Sequence, residues 1–316
     1  MSAERPLAVV AVGGNALIAD PSAVGIDQQA AQAAATCEHI ADIVADGWRV
    51  VVTHGNGPQV GFILRRSEVA KDSAPGVPLV YAVADTQGAI GFMMQQGMTN
   101  ALRRRSIDTT AVAVVTRVVV DPADSAFGAP DKPIGAQLEQ AEAERLAAEF
   151  GWDIAEDSGR GWRRVVASPQ PEQIVELASI TTLLAAEQVV IACGGGGVPV
   201  IQVDDELHTI DAVIDKDLTS ALLARNLNAD ALVILTDVEQ AFADWGTPTQ
   251  RPLGALSPTE AQRLLDDGQF GGGSMAPKIR AALGFAQHRP GGRAIITNAP
   301  SVRQALSDHT GTRIVS

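Results

Sequence analysis

The feature that most constrains this chain is its rhythm. Short runs of β-branched and apolar residues alternate with longer segments rich in alanine and leucine. Residues 7–12, 49–53, 110–120, 188–192, 231–236 and 293–297 read as strands. They are almost continuously apolar, as strands covered on both faces must be. Residues 28–46 and 137–150 carry apolar side chains at three- and four-residue spacing, which predicts helices, and 219–227 and 258–267 are shorter candidates. Ser257-Pro258 before Thr259-Glu260 supplies an N-cap with proline at the first helical position. Strands joined by helices make right-handed crossovers, so the expected class is α/β, a mainly parallel open sheet with helices on both faces.

The rhythm breaks between about residues 121 and 171, where proline, glycine and charge crowd together with Trp152 and Trp162. Long connections inside compact domains are usually functional or form a unit of their own. This stretch is expected to be a protruding subdomain or lid. The 316 residues leave one large domain or two lobes open.

Composition narrows the partners. The formal net charge is -13, from 24 basic and 37 acidic residues, which argues against nucleic acid or an anionic membrane surface as a partner. An acidic protein that binds anions must gather its few cations locally. Cys37 and Cys193 are not spaced as metal ligands, and Cys193, at the end of QVVIAC, reads as a buried structural thiol. The first residues show no basic signal-peptide region, and no apolar stretch is long enough to span a bilayer, so a cytoplasmic protein is expected.

Three glycine clusters follow predicted strands: AVGGNAL, VVTHGNGPQVG and IACGGGGVPV. In open α/β sheets ligands bind beyond the carboxyl ends of the strands, and glycine lets backbone N–H groups approach an anion closely. Gly13, Gly14 and Asn15, then Gly55, Asn56 and Gly57, then Gly194, Gly195 and Gly196 therefore form a candidate phosphate site. GxxxxGK[ST], GxGxxG with its distal acid, and the HRD and DFG signatures are all missing. Asn15 and Asn56 offer neutral side-chain donors, or ordinary turn chemistry.

The chain has few lysines, and three keep unusual company: Lys132 in DKPIG, Lys216 in VIDKDLTSA and Lys278 in GGGSMAPKI. Lys216 between Asp215 and Asp217 is either a solvated helix start or a cation held in place by carboxylates. A positioned lysine suits phosphoryl transfer, where catalysis is largely positioning and neutralisation of spread negative charge. Thr236-Asp237, ending LVILTD, stands at a natural mouth-of-sheet position for a nucleotide.

VGGNAL, THGNGPQVG, VVVDPAD, KPIG, CGGGGVPV, VIDKDLTSALLA, LTDVE and GSMAPKI occur in the order found in carbamate kinases, so the chain resembles that branch of the amino acid kinase superfamily from about Leu7 to Val315. The resemblance implies a three-layer α/β/α sandwich of about eight strands. Residues 1–213 would hold carbamate or carbamoyl phosphate, with the subdomain inserted, and residues 214–316 the nucleotide. It implies reversible transfer between carbamoyl phosphate plus ADP and carbamate plus ATP, a homodimer, and a place in arginine metabolism. Lys132 would meet the carbamoyl phosphate end, Lys216 the transferred phosphoryl group, oriented by Asp217, and Lys278 the nucleotide phosphates. The glycine loops would cradle the acyl phosphate, and Asp237, Val238 and Met275 would lie near the adenosine. Mg²⁺ would be held mainly by phosphate oxygens, with no dedicated metal ligand set. Ala276, where a glycine is expected, and Trp245, where a smaller aromatic is, are departures that bear on the nucleotide.

Three other readings stand beside this one. A kinase of another acid, such as acetylglutamate, would want an arginine for the second carboxylate, and none lies in the glycine loops. A non-catalytic sensor of ATP or acyl phosphate would not need all three lysines. A dehydrogenase lacks its dinucleotide fingerprint.

Overall fold

A computed structural model describes residues 5–14, 17, 25–157, 161–270 and 275–315. Among them the backbone of the molecule is an eight-stranded sheet. Its strands in chain order are β1 (Leu7–Val12), β2 (Arg49–His54), β3 (Ala111–Ala113), β9 (Val189–Ile191), β12 (Ala231–Leu235), β15 (Ala255–Leu256), β16 (Arg293–Thr297) and β17 (Thr312–Val315). They lie side by side as β15-β17-β16-β12-β1-β2-β9-β3, every pairing parallel except β16 with β17.

The continuous apolar runs are explained by what covers them. Val9 and Ala11 of β1, Val51 of β2, and Leu232 and Ile234 of β12 point to one face. There they meet α5 (Leu177–Ala185), α6 (Lys216–Asn226), α7 (Pro258–Asp266) and α8 (Met275–His288). Ala8, Val10 and Val12, with Val50, Val52 and Val233, point to the other, against α1 (Ile26–Ala45), α3 (Leu79–Arg104) and α9 (Val302–Leu306). Side-chain period two thus divides one strand between two cores. The result is the three-layer sandwich anticipated above. Cys37 and Cys193 are both free and buried, and burial pushes each thiol up to about 12, which makes them inert packing groups.

Several boundaries differ from expectation. The run 110–120 is two strands, β3 and β4 (Arg117–Val120), which enter different sheets. The break is at Thr116, whose N–H donates to Gln87 Oε1 at 2.7 Å and whose hydroxyl donates to Val114 O at 2.9 Å. β-Branched residues favour strand on both sides, so composition cannot reveal it. The run 137–150 begins as strand β5 (Lys132–Leu138), and α4 covers only Gln140–Phe150. α6 starts three residues earlier than predicted, because the Asp215 carboxylate accepts from the N–H groups of Asp217 and Leu218. At α7 the expected start holds: Ser257 and Glu260 form a reciprocal capping box with Pro258 at the first position.

α2 (Gly57–Val69), α3 and α5 are helices that the sequence reading did not anticipate. The irregular stretch also holds regular structure. β5, β6 (Asp153–Glu156) and β7 (Trp162–Val166) form an antiparallel three-stranded sheet in the order β5-β7-β6, with α4 against it. A further sheet joins β4, β8 (Pro171–Ile174), β10 (Val198–Val203) and β11 (Glu206–Thr209). No described helix is long and apolar enough to cross a membrane.

Candidate active site

Four neighbouring parallel strands, β12, β1, β2 and β9, run out at the same carboxyl edge of the sheet. Gly13 and Gly14 follow β1, Gly55 follows β2, Gly194 to Gly196 follow β9, and Thr236-Asp237 follow β12. The glycine loops, far apart in sequence, are packed on one another. A Cβ on Gly55 would lie 3.0 Å from Gly14 N and 3.5 Å from Lys216 Cδ. One on Gly194 would lie 2.4 Å from His54 Nε2, and one on Gly195 only 2.0 Å from Asn56 Nδ2. Gly195 also has φ +67, so a side chain there is excluded both by space and by backbone. Cys193, with φ 53, opens this turn, and the N–H groups of Gly194 and Gly195 reach no acceptor among the described residues. Buried N–H groups are costly to leave unpaired. A turn of this kind is an anion-binding concavity.

Beside the loops the chain concentrates its lysines. Three of its four converge on two carboxylates at the start of α6. Asp217, 3% exposed, takes Lys216 Nζ on Oδ1 at 2.5 Å and Lys278 Nζ, from the first turn of α8, on Oδ2 at 3.0 Å. Lys132, the first residue of β5, donates to Asp215 Oδ2 and to Ile214 O, each at 3.3 Å. Burial by itself would push the Asp217 pKa up, but the two ammonium groups outweigh it and hold the carboxyl at about 2. Burial pulls Lys216 down from the usual lysine value, with Asp217 opposing. Two cations fixed on one carboxylate, beside N–H groups that reach no acceptor among the described residues, form a preorganised electropositive pocket whose remaining capacity suits phosphate oxygens.

A cavity of about 530 Å³ opens at the end of β12. Asp237, Val238 and Met275 line it, together with Phe242 and Trp245, whose rings sit 5.3 Å apart. Its lining mixes apolar and aromatic side chains with polar ones such as Thr236, Asp244 and Gln269, the character of a site for a planar base with a sugar.

The amino acid kinase family profile matches residues 6–298. The chain belongs to the amino acid kinase family. It is 44% identical to the carbamate kinase-like protein YahI of Escherichia coli (strain K12), over 98% of this chain and 99% of that one. It is 42% identical to the carbamate kinase of Thermococcus kodakarensis, over 97% and 98% respectively. A solved structure of carbamate kinase from Giardia lamblia bound to AMP-PNP shares the fold with a TM-score of 0.91 and 40% identity, covering 100% of this chain and 99% of that one.

In this member of the amino acid kinase family, the predicted residues divide into groups. Lys216, Asp217 and Lys278 meet in one ion-paired cluster, and Lys132 pairs with the neighbouring Asp215. Gly14, Gly55, Asn56, Gly194 and Gly195 meet in the loop stack, and Gly196 closes against Ile214 O, where a Cβ would lie 2.5 Å away. Gly13 is held against Leu235 O at the end of β12, and Gly57 begins α2 with no close neighbour to a built Cβ. Asn15 and the glycine run 271–274 lie outside the described residues. Asn56 is more committed than its motif suggested: it is buried, and its amide donates to Thr86 Oγ1 at 2.8 Å.

Sequence reasoning missed the residues behind the loops. His54 sat inside THGNGPQVG but was given no part. It is fully buried, its Nδ1–H donating to Gly55 O at 3.1 Å and its ring filling the space a Gly194 side chain would take. Thr53 and Ser220 share a hydrogen bond of 2.7 Å that ties β2 to α6, and Thr219 donates to Gly196 O at 2.9 Å. Their signal was faint, since isolated hydroxyls in apolar strands and helices are common.

Two predictions arise here. Gly195→Ala should cut kcat/KM by about 10²-fold, since its methyl must displace the Asn56 amide and small misplacements at a reacting centre carry costs of that size. Steady-state kinetics on the folded variant decide it, and wild-type values would mean that the loop does not touch the reacting groups. Burial, chiefly, lowers the His54 pKa from 6.5 to about 4, with the Lys216 charge adding to it. The unfolded chain then takes up this proton near pH 6.5 and the folded chain only near 4, so stability is lost as pH falls through that window, by about 3 kcal/mol. Urea unfolding should show the advantage of wild type over His54→Gln shrinking by about that amount from pH 6.5 to 4. A constant gap would mean that His54 is charged in the fold.

Proposed function

We propose that the chain is a carbamate kinase, transferring a phosphoryl group reversibly between carbamoyl phosphate plus ADP and carbamate plus ATP. The observation that carries this reading is the Lys216–Asp217–Lys278 cluster beside a stack of glycine loops, at the carboxyl edge of a parallel sheet. The family and the full-length similarity to carbamate kinases support it.

Carbamoyl phosphate would lie over Gly14, Gly55, Asn56 and the turn at Gly194 to Gly196, its carbamoyl end reached by Lys132. ADP would enter the aromatic cavity, with Asp237, Val238 and Met275 near the adenosine, and the similar Giardia enzyme is known bound to AMP-PNP. Lys216 would follow the transferred group between its two oxygens, and Lys278 would neutralise the nucleotide phosphates. Charge spreads over the equatorial oxygens in such a transfer, so cations already fixed in place help most there. No nucleophilic side chain is needed. The carboxylate of Asp217 serves as the common anchor that aims both ammonium groups.

Mg²⁺ held mainly by the nucleotide's phosphates would supply neutralisation of part of their charge. Asp217 already holds two lysines, so the ion would come with the nucleotide. A division into an N-terminal lobe (1–213) for carbamoyl phosphate and a C-terminal lobe (214–316) for nucleotide, a homodimer, a cytoplasmic location and a place in arginine metabolism belong to the same reading. Exposed Tyr81 and Phe92, three turns apart on α3, offer the dimer an apolar face.

The test is ATP formation from carbamoyl phosphate, ADP and Mg²⁺ by purified protein in a coupled assay. ATP that requires all three is the expected result. No ATP while ADP still binds would point to a sensor, or to a kinase of another acid.

A further inference from the structure

The helix α3 is apolar where it faces the core, with Val83, Ile90, Met94 and Met98 buried along it. Two polar residues interrupt that face. Thr86 is 1% exposed and Gln87 is 4% exposed. A buried polar side chain is costly unless every hydrogen-bonding group is used, so what these two hold is informative.

Thr86 gives its hydroxyl hydrogen to Val83 O at 2.6 Å, which leaves the oxygen free only to accept. What it accepts is the Asn56 amide, at 2.8 Å. This fixes which way the Asn56 amide is turned, in the second glycine loop. Gln87 is engaged at both ends. Its Nε2 donates to Gly194 O and to Thr116 O, each at 3.0 Å, and its Oε1 accepts from Thr116 N at 2.7 Å. Thr116 in turn accepts on its hydroxyl from Cys193 N at 3.0 Å. The third glycine loop is therefore pinned at Cys193 and Gly194, immediately before the N–H of Gly195, which reaches no acceptor among the described residues. The two pinned loops also touch each other, since the Asn56 amide occupies the space beside Gly195.

We propose that Thr86 and Gln87 are positioning residues that set the spacing of the second and third glycine loops, and so the fit of the acyl phosphate. They touch no substrate themselves. Thr86 acts through Asn56, and Gln87 acts through Gly194 and Thr116. The hydrogen bonds of Thr86 and Gln87 lead to the second and third glycine loops, so the effect falls on the acyl phosphate half of the site. This inference rests on the proposed function of the loops, and its test separates the two.

Thr86→Val keeps the shape of the side chain and removes the acceptor, while Thr86→Ser keeps the hydroxyl. Thr86→Val should lower kcat/KM for carbamoyl phosphate by about 10²-fold, the scale of loss that misplacement near 1 Å brings. KM for ADP should stay close to wild type, and Thr86→Ser should recover most of the loss. Gln87→Leu should show the same split more strongly. Wild-type kinetics in Thr86→Val would overturn the proposal. So would parallel rises in both KM values that track a fall in Tm, the mark of a merely structural role. Amide hydrogen exchange supplies a readout independent of turnover: residues 193–197 should exchange faster in Thr86→Val and Gln87→Leu than in wild type. If the wild-type protein makes no ATP, the proposed function falls, and this exchange still decides whether α3 holds the loops. Unchanged exchange in both variants would sink the inference even if the enzyme is active.

Discussion

Lys216→Ala is expected to lower kcat by about 10²–10³-fold, the loss that follows removal of one preorganised donor at developing charge. The side chain stands at the crossing of every feature of the site. It is paired with Asp217 at 2.5 Å, packed beside Gly55, and carried on the first residue of α6, whose start Asp215 fixes. Its pKa is drawn down by burial. The phosphate of a bound substrate would draw it back up, so the cation is strongest when a phosphoryl group is present. KM for ADP should move much less than kcat, because the interaction grows as the group is transferred. Near-normal turnover in a folded Lys216→Ala protein would remove Lys216 from the reaction and leave it a structural cation.

Asp217→Ala should be damaging in a different way. Lys216 and Lys278 are almost enclosed, with side-chain exposures of 12% and 8%, and they share one carboxylate. Removing it leaves two ammonium groups together without a counter-charge, and breaking a buried pair typically costs about 3–5 kcal/mol. For a chain of this size that is a fall in Tm on the order of 5–10 °C. The loss should be smaller in the presence of ATP, whose phosphates supply the missing negative charge. It should also shrink as pH rises, because Lys216, with its folded pKa below its unfolded one, gives up its proton first in the fold. Thermal unfolding at several pH values, with and without nucleotide, checks all three statements. A variant that melts with wild type in every condition would show that the lysines do not depend on Asp217.

The site was legible in the sequence to an uneven degree. Glycine clusters at strand ends and lysines beside aspartates are local patterns, each with a direct physical reason, so most of the side chains that meet at the carboxyl edge had been singled out. The capping box at Ser257 was readable for the same reason, since all its members lie within four residues. What escaped was the support. His54, Thr86, Gln87, Thr116 and Ser220 act on partners 1 to 167 residues away in sequence, and the long-range ones leave no local pattern. The split between β3 and β4 escaped because its cause, Gln87, sits 29 residues upstream. The three-stranded sheet between residues 132 and 166 escaped because prolines and glycines mask short strands that only pairing stabilises.

By itself the sequence determined the class of fold, a covered parallel sheet, because continuous apolar runs alternating with amphipathic ones can be buried in few other ways. It also determined the inventory of the site, since glycines where backbone must approach an anion and lysines where charge must be met are dictated by chemistry at single positions. Only the tertiary structure decided how that inventory is arranged. Strand order brought β12, β1, β2 and β9 side by side, so that loops separated by nearly two hundred residues meet within van der Waals contact. It also brought Lys278 from α8 onto a carboxylate 61 residues away, and gave that carboxylate two cations in place of one. The reason is that distance along the chain carries no information about distance in space. Sheet order, set by packing the whole core at once, is what converts one into the other.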